Sequence, residues 1–150
     1  MILIISSFKM QDKLDLDRYV GTFSKFVFEK ERLLSFGNKW SFDFLPSAQC
    51  TSKKLAQSGF YYDGDCTAKC IFCLKSLIWE ASDNPWEEHV SHCKDCDFVK
   101  LAKFEKEQTM IEHIDLQKVA LKKWLKDDYL RLIEKLDKQC DAIVSKLKGT

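Results

Sequence analysis

No proline follows Pro85, and no glycine lies between Gly64 and Gly149. The two residues that most readily end a helix are therefore missing from residues 86–148. No apolar run approaches the roughly 18 to 20 residues that a bilayer crossing demands, so nothing here is expected to span a membrane. Residues 2–5 are too short for the apolar stretch of a secretory leader and lack a basic lead. The seven cysteines are an odd number, which argues against a closed disulfide framework and for a reducing, intracellular setting. Neither charge dominates: 24 basic residues meet 23 acidic ones for a formal net charge of +1. At 150 residues, 45% of them hydrophobic, the chain has room for one modest core and an appendage, not two large domains.

The charge that exists is unevenly placed. Residues 1–98 carry 12 Lys/Arg against 14 Asp/Glu, and residues 99–150 carry 12 against 9. Within the front part, Glu80, Asp83, Glu87, Glu88, Asp95 and Asp97 face only Lys94 over residues 80–97. Such a local field attracts a cationic ligand and repels nucleic-acid phosphate, so no direct nucleic-acid partner is expected; the plainer reading is that these acids keep a small domain soluble.

Residues 1–20 show no pattern and read as a flexible arm. In residues 22–36, Phe23, Phe26, Val27, Leu33, Leu34 and Phe36 recur at mostly helical intervals, and Gly37 suits the left-handed residue that ends a helix. Thr51 is a plausible cap for a short helix over 52–58, stopped by Gly59. Three short apolar or aromatic runs, 60–62, 68–72 and 77–79, with turn chemistry between them, predict a small antiparallel sheet. Asn84-Pro85-Trp86-Glu87 then opens a helix, with Asn as cap, Pro in the first position and Glu placed to close a capping box.

Thr109 and Glu112 make a second capping box, from which the chain can run helical for about 38 residues. Its apolar positions are those of a seam. Tyr129, Ile133, Leu136, Cys140, Ile143 and Leu147 step by 4, 3, 4, 3, 4, while Leu121, Leu125 and Tyr129 step by 4 and 4, a local stutter. An isolated helix exposing that seam is marginal and sticky, so a partner is expected.

Cysteine and histidine spacing points to zinc. Cys70-x2-Cys73 places two thiolates on one turn. His89 with Cys96, or Cys93 with Cys96, completes four soft tetrahedral donors; spacing alone does not choose between them, and Cys66 is a further spare thiol. Four protein ligands close the coordination shell, so the metal is read as structural rather than catalytic. No nucleophile with a base and an orienting group beside it stands out, so no enzyme is expected.

The residues around this centre carry a resemblance. Arg32, Phe36, Cys50-Thr51, residues 55–62 (Leu-Ala-Gln-Ser-Gly-Phe-Tyr-Tyr), Cys70-Ile71-Phe72-Cys73, Trp79-Glu80, residues 83–89 (Asp-Asn-Pro-Trp-Glu-Glu-His) and Cys96-Asp97-Phe98-Val99 resemble a baculovirus inhibitor-of-apoptosis repeat, the BIR domain. The likeness spans roughly residues 24–99. It implies an α+β fold: a small zinc-binding domain with a short three-stranded antiparallel sheet and short helices, followed here by a long C-terminal helix. The organisation expected is an arm over 1–21, the zinc domain over 22–99, a linker over 100–108 and the helix over 109–148. The family pattern gives one structural zinc to Cys70, Cys73, His89 and Cys96, leaving Cys93 free. This sequence departs from the pattern by an additional residue before Trp40-Ser41, and its Cys73-to-His89 span is one residue shorter than in many members.

A single repeat followed by a long helix is similar to the survivin-like branch of the family, as is His92 three residues past the zinc histidine. That likeness implies a groove for the amino-terminal tail of histone three phosphorylated on its third residue. Asp83 would meet the α-ammonium, Trp79 would wall the first side chain, and Lys75 and His92 would hold the phosphate. A second groove acid found in that branch is absent here, where Leu77-Ile78 stand. For the helix, the likeness implies bundling with borealin-like and inner-centromere-protein-like helices through Trp124, Leu125, Tyr129, Leu132, Ile133, Leu136 and Ile143. A homodimer, by self-pairing of the seam or through residues 98–111, is the alternative. The expectation is a non-enzymatic adaptor of the chromosomal passenger complex that localises Aurora B kinase, found in nucleus and cytoplasm and at centromere, spindle midzone and midbody. The rival is an apoptosis inhibitor gripping caspases or Ala-initiated peptides of their regulators. A ubiquitin ligase would need a RING, which this sequence does not show.

Overall fold

A buried arginine divides the first helix. The computed structural model describes Gly21 and residues 24–148, so the expected arm, apart from Gly21, and the apolar position Phe23 lie outside the described residues. Where the sequence predicts one helix over 22–36, a helical turn at Ser24–Phe26 is followed by α1, Glu29–Phe36. The fully buried Arg32 donates through Nε to the Ala56 carbonyl at 2.8 Å and through Nη1 to Phe26 and Val27 at 3.0 and 2.8 Å. A continuous helix would have spent those last two carbonyls on amides one turn ahead. Gly37, at φ 50°, closes α1 as expected. Val27 and Phe36 of the predicted stripe are buried, whereas Leu33 and Leu34 face solvent.

The aperiodic stretch that follows folds around Trp40, whose indole N–H donates to the Cys50 carbonyl at 2.9 Å. Its one regular piece is a 3-10 turn, Ser41–Phe44, and Asp43 Oδ1 accepts the Ser52 amide at 2.8 Å. Helix α2, Ser52–Gln57, is capped by Thr51, whose hydroxyl accepts from Lys54 N–H at 3.3 Å. Gly59 then turns the chain at φ +92°, and a Cβ there would stand 3.3 Å from the rings of Phe72 and Phe98. Both the backbone angle and the close approach require glycine.

Three strands form one antiparallel sheet in the order β1 (Phe60–Gly64), β2 (Thr67–Cys70), β3 (Ser76–Ile78). Phe60 pairs with Cys70, and Ala68 lies between Tyr62 and Leu77. The sequence places the second strand over 68–72; the observed strand stops at Cys70 because the next residues turn, with Leu74 at φ 64°, to form the knuckle that carries Cys73.

Helix α3, Pro85–His92, starts at Asn84, which accepts from the Trp86 amide at 3.2 Å. Its capping box is a variant: Glu87 receives the Asn84 side-chain amide at 2.9 Å rather than the cap's backbone N–H. Helix α4, Asp97–Leu101, was not foreseen from the sequence. A 3-10 turn, Glu105–Glu107, leads to α5, Met110–Lys148, a helix of 39 residues. The Thr109–Glu112 box forms as expected: Thr109 N–H reaches Glu112 Oε2 at 2.8 Å, and Glu112 N–H reaches Thr109 Oγ1 at 3.3 Å. The fold is thus α+β with a long terminal helix. Its core joins Phe36, Trp40, Leu55, Phe60, Ile71 and Phe98, and the buried residues of α5 are Leu116 and Ala120. No helix among the described residues is long and apolar enough to cross a membrane.

Candidate metal centre

Four elements each deliver one donor to a single point. Cys70 ends β2 and Cys73 sits on the knuckle, whose hairpin is tied by Cys70 N–H to the Lys75 carbonyl and Leu74 N–H to the Cys70 carbonyl, each 2.9 Å. His89 lies on the buried side of α3, and Cys96 is the residue before α4. The ligand atoms of Cys70, Cys73, His89 and Cys96 all fall within 4.8 Å of one another. Cys73 Sγ is 3.7 Å from His89 Nε2. In a tetrahedral zinc site with ordinary Zn–S and Zn–N bonds that separation is about 3.6 Å.

The imidazole is set for the task. His89 is fully buried, and its Nδ1 lies 2.8 Å from the Ser58 carbonyl. A carbonyl can only accept, so Nδ1 carries the proton and the Nε2 lone pair faces the sulfurs. The three thiols crowd one another: hydrogen bonds from Cys70 and Cys96 pull the Cys73 thiol down to about 3, while burial pushes Cys70 well up. One thiolate shared among neutral neighbours is what such a cluster can hold by itself; a dication stabilises all three as thiolates. The donor set therefore fits one structural zinc, held by Cys70, Cys73, His89 and Cys96, with no open position for a reacting water. Cys93 stands outside this group of four, so the all-cysteine arrangement that spacing also permitted is not the one formed.

Around the centre, Lys75 donates to the His92 carbonyl at 2.8 Å, which ties the knuckle to the end of α3. The exposed His92 ring sits 3.1 Å from Glu88 Oε2. Asp83 Oδ2 accepts the Glu80 amide at 2.7 Å and shapes the loop after β3. Trp79, expected to wall the first side chain, is 2% exposed, edge-on to Phe60 at 4.9 Å, and its indole N–H is buried without a partner. It follows β3, where the exposed positions Ser76 and Ile78 alternate with Leu77, and belongs to the core cluster.

The seven helix positions differ in burial. Trp124 is half-buried against the core cluster that Ala120 joins one turn earlier, and Lys123 beside it pairs with Asp97 at 2.6 Å. Leu125, Leu132 and Leu136 are half-exposed, and Tyr129, Ile133 and Ile143 are exposed. The sequence offered no sign of Ser58 as the histidine's partner, since a backbone carbonyl leaves none. Nor did it reveal Glu105, which accepts the Glu29 amide at 2.5 Å and faces Arg32 at 3.5 Å from far along the chain.

Comparison with known proteins agrees with this geometry. Residues 32–100 match the Inhibitor of Apoptosis domain, BIR. The chain is 39% identical over 99 residues to "Chromosomal passenger complex protein bir-1" of Caenorhabditis elegans, covering 65% of this chain and 63% of that one. It is 36% identical over 135 residues to "Baculoviral IAP repeat-containing protein bir-2" of the same organism, covering 81% of this chain and 39% of the relative. To "Baculoviral IAP repeat-containing protein 5" of Cavia porcellus it is 34% identical over 101 residues, 64% of this chain and 70% of the other. The match thus spans less than two thirds of the length of the first two relatives. With the repeat, its metal donors and these relatives in agreement, the chain belongs to the BIR family.

Proposed function

We propose that this BIR protein is a non-enzymatic adaptor of the chromosomal passenger type. The observation that carries the reading is the union of a zinc-pinned domain with a helix whose far half leaves Tyr129, Ile133, Ile143 and Leu147 in solvent. A relative of this chain is named for the chromosomal passenger complex, which supports the assignment. In this reading α5 bundles with borealin-like and inner-centromere-protein-like helices, and the complex carries Aurora B kinase to centromere and midbody. The zinc supplies no reaction; its ligands hold the knuckle and α3 in register so that neighbouring side chains can meet a ligand.

The ligand we assign is the amino-terminal tail of histone three phosphorylated on its third residue. Lys75 and His92, already joined through the His92 carbonyl, supply the phosphate donors. Asp83 takes the α-ammonium, and the acids of α3 suit the tail's basic residues. Calorimetry with the tail peptide, with and without the phosphate, tests the groove: the phosphate is expected to strengthen binding. Lys75→Ala and His92→Ala are expected to weaken that preference by about 1 to 3 kcal/mol, the range of charge-assisted hydrogen bonds. Equal affinity for both peptides would reject the assignment, and selective binding of an Ala-initiated caspase-regulator peptide would favour the rival.

A further inference from the structure

The two side chains assigned to the phosphate are both engaged before any ligand arrives. Lys75, on the knuckle, gives one N–H of its ammonium to the His92 carbonyl at 2.8 Å. The His92 ring, at the end of α3, lies with Nε2 3.1 Å from Glu88 Oε2, one turn back on the same helix. An ionised carboxylate can only accept, so Nε2 carries the proton, and a neutral imidazole has no other N–H to give. On a protonated ring Nδ1 adds a second N–H, but a phosphate there still shares the cation with Glu88. Neither group is sealed off: the His92 and Glu88 side chains are 60% and 39% exposed, so a ligand can reach both. The neighbouring Glu87 is engaged elsewhere, accepting the Asn84 side-chain amide at 2.9 Å. Among the described residues, Glu88 is thus the carboxylate that meets a phosphate donor.

We propose, resting on the groove assigned above, that Glu88 is a specificity-determining residue acting through His92: its carboxylate holds the ring N–H in the place of phosphate, and a phosphorylated ligand has to displace it. Two anions around one donor repel each other, so the contact lowers the gain that a phosphate brings. An unphosphorylated ligand carries no anion that competes for the ring and leaves the pair intact. The contact therefore sets how sharply the groove separates the two forms of the tail. At these exposures solvent screens the pair, which makes the effect a few-fold one rather than orders of magnitude.

The test is calorimetry of the full zinc-loaded chain with the histone-three tail peptide, phosphorylated or not on its third residue, comparing wild type with Glu88→Gln. That substitution keeps the size of the side chain and removes its charge; Glu88→Ala is the second variant should glutamine disturb the fold. The ratio of the two affinities is expected to rise about two- to fivefold in Glu88→Gln, through tighter binding of the phosphorylated peptide, with zinc content unchanged. Because the effect passes through His92, the same substitution in a His92→Ala background is expected to leave the ratio where it was. A merely structural role for Glu88 gives neither the gain nor its dependence on His92. An unchanged or lower ratio in Glu88→Gln, where wild type prefers the phosphorylated peptide, would overturn the proposal and leave the groove assignment standing. An equal gain in both backgrounds would overturn it too, since a general field and not the contact would then be at work. Failure of the groove assignment has a different signature: wild type binds both peptides equally. If Glu88→Gln then gains a phosphate preference, the competition stands without that natural ligand, and if it gains none, both readings fall.

Discussion

The zinc domain and the far half of α5 solve opposite problems. In the first, Phe36, Leu55, Phe60, Cys70 and Phe98 are fully buried around one metal centre, and even a guanidinium is buried with three carbonyls satisfied. In the second, no residue of α5 beyond Ala120 is buried among the described ones. From Trp124 to its end the helix extends about 36 Å at the usual rise. What it has of its own is local: Glu134 with Lys138 at 2.7 Å and Asp127 with Arg131 at 2.8 Å. Exposed pairs of this kind contribute about 0.3 to 0.5 kcal/mol each, too little to hold so long a helix with its apolar side in water. One region thus closes a core of its own, and the far half of the other, among the described residues, does not.

The largest break in that contrast comes from the metal. Structural zinc in small domains supplies on the order of 10 to 16 kcal/mol of apparent binding free energy at neutral pH, comparable with the whole stability of a domain this size. Cys73→Ala, or a strong chelator, is expected to abolish the cooperative thermal transition and the near-ultraviolet dichroism of the packed tryptophans. A chelated protein that still melts cooperatively at the same temperature would contradict the metal's role. Leu132→Glu with Leu136→Glu should do the reverse, leaving that melt unchanged while removing the partner helices from the complex. Each leucine buried in a bundle contributes about 1.5 to 3 kcal/mol, so two charges there cost far more than an interface of this kind holds in reserve. Co-elution of the double variant with borealin-like and inner-centromere-protein-like helices on size exclusion would remove the seam from the argument.

The same contrast marks how far the sequence could be read. Local chemistry was legible: Thr51, Asn84 and Thr109 announce their helices, Gly37 ends α1, and Cys70-x2-Cys73 forms the expected knuckle. What depended on distant partners was not. Arg32 breaks a helix by reaching carbonyls on both sides of it, and Glu105 meets α1 across 76 residues, so neither effect appears in a window of neighbours. His89 and Cys93 were equal on spacing, and the structure separates them through the Ser58 carbonyl, which has no side chain to read. Trp124 fitted the apolar spacing of α5 as well as its neighbours did. Only the position of the zinc domain shows that it faces inward.

Trp124 therefore fixes where one region ends. Because it packs half-buried against the core cluster that Leu116 and Ala120 share with the zinc domain, Trp124→Ala is expected to lower stability by about 1 to 3 kcal/mol. Tyr129→Ala, just over a turn further on at 54% exposure, should stay within about 0.5 kcal/mol for the isolated chain and should instead weaken the helical bundle. If both variants melt alike, the boundary does not fall between these two residues.

The smallest effect lies at the junction itself. The Lys103 ammonium at 2.5 Å, together with the amide and hydroxyl of Thr109, pulls the Glu112 carboxyl from its ordinary 4.5 down to about 2. A carboxyl depressed in the folded state lends stability that is fully present above its unfolded value and fades as pH falls toward the folded one. The first turn of α5 is therefore expected to loosen between about pH 4.5 and pH 2, before the buried core responds. Amide exchange at residues 110–113 reads this directly, and Glu112→Gln should erase its pH dependence in that window. A carboxyl that titrates at the ordinary value in the folded protein would mean that Lys103 and Thr109 do not hold it. The contacts of Leu116 and Ala120, the Phe28–His113 ring contact and the Asp97–Lys123 pair would then carry the anchoring of the helix.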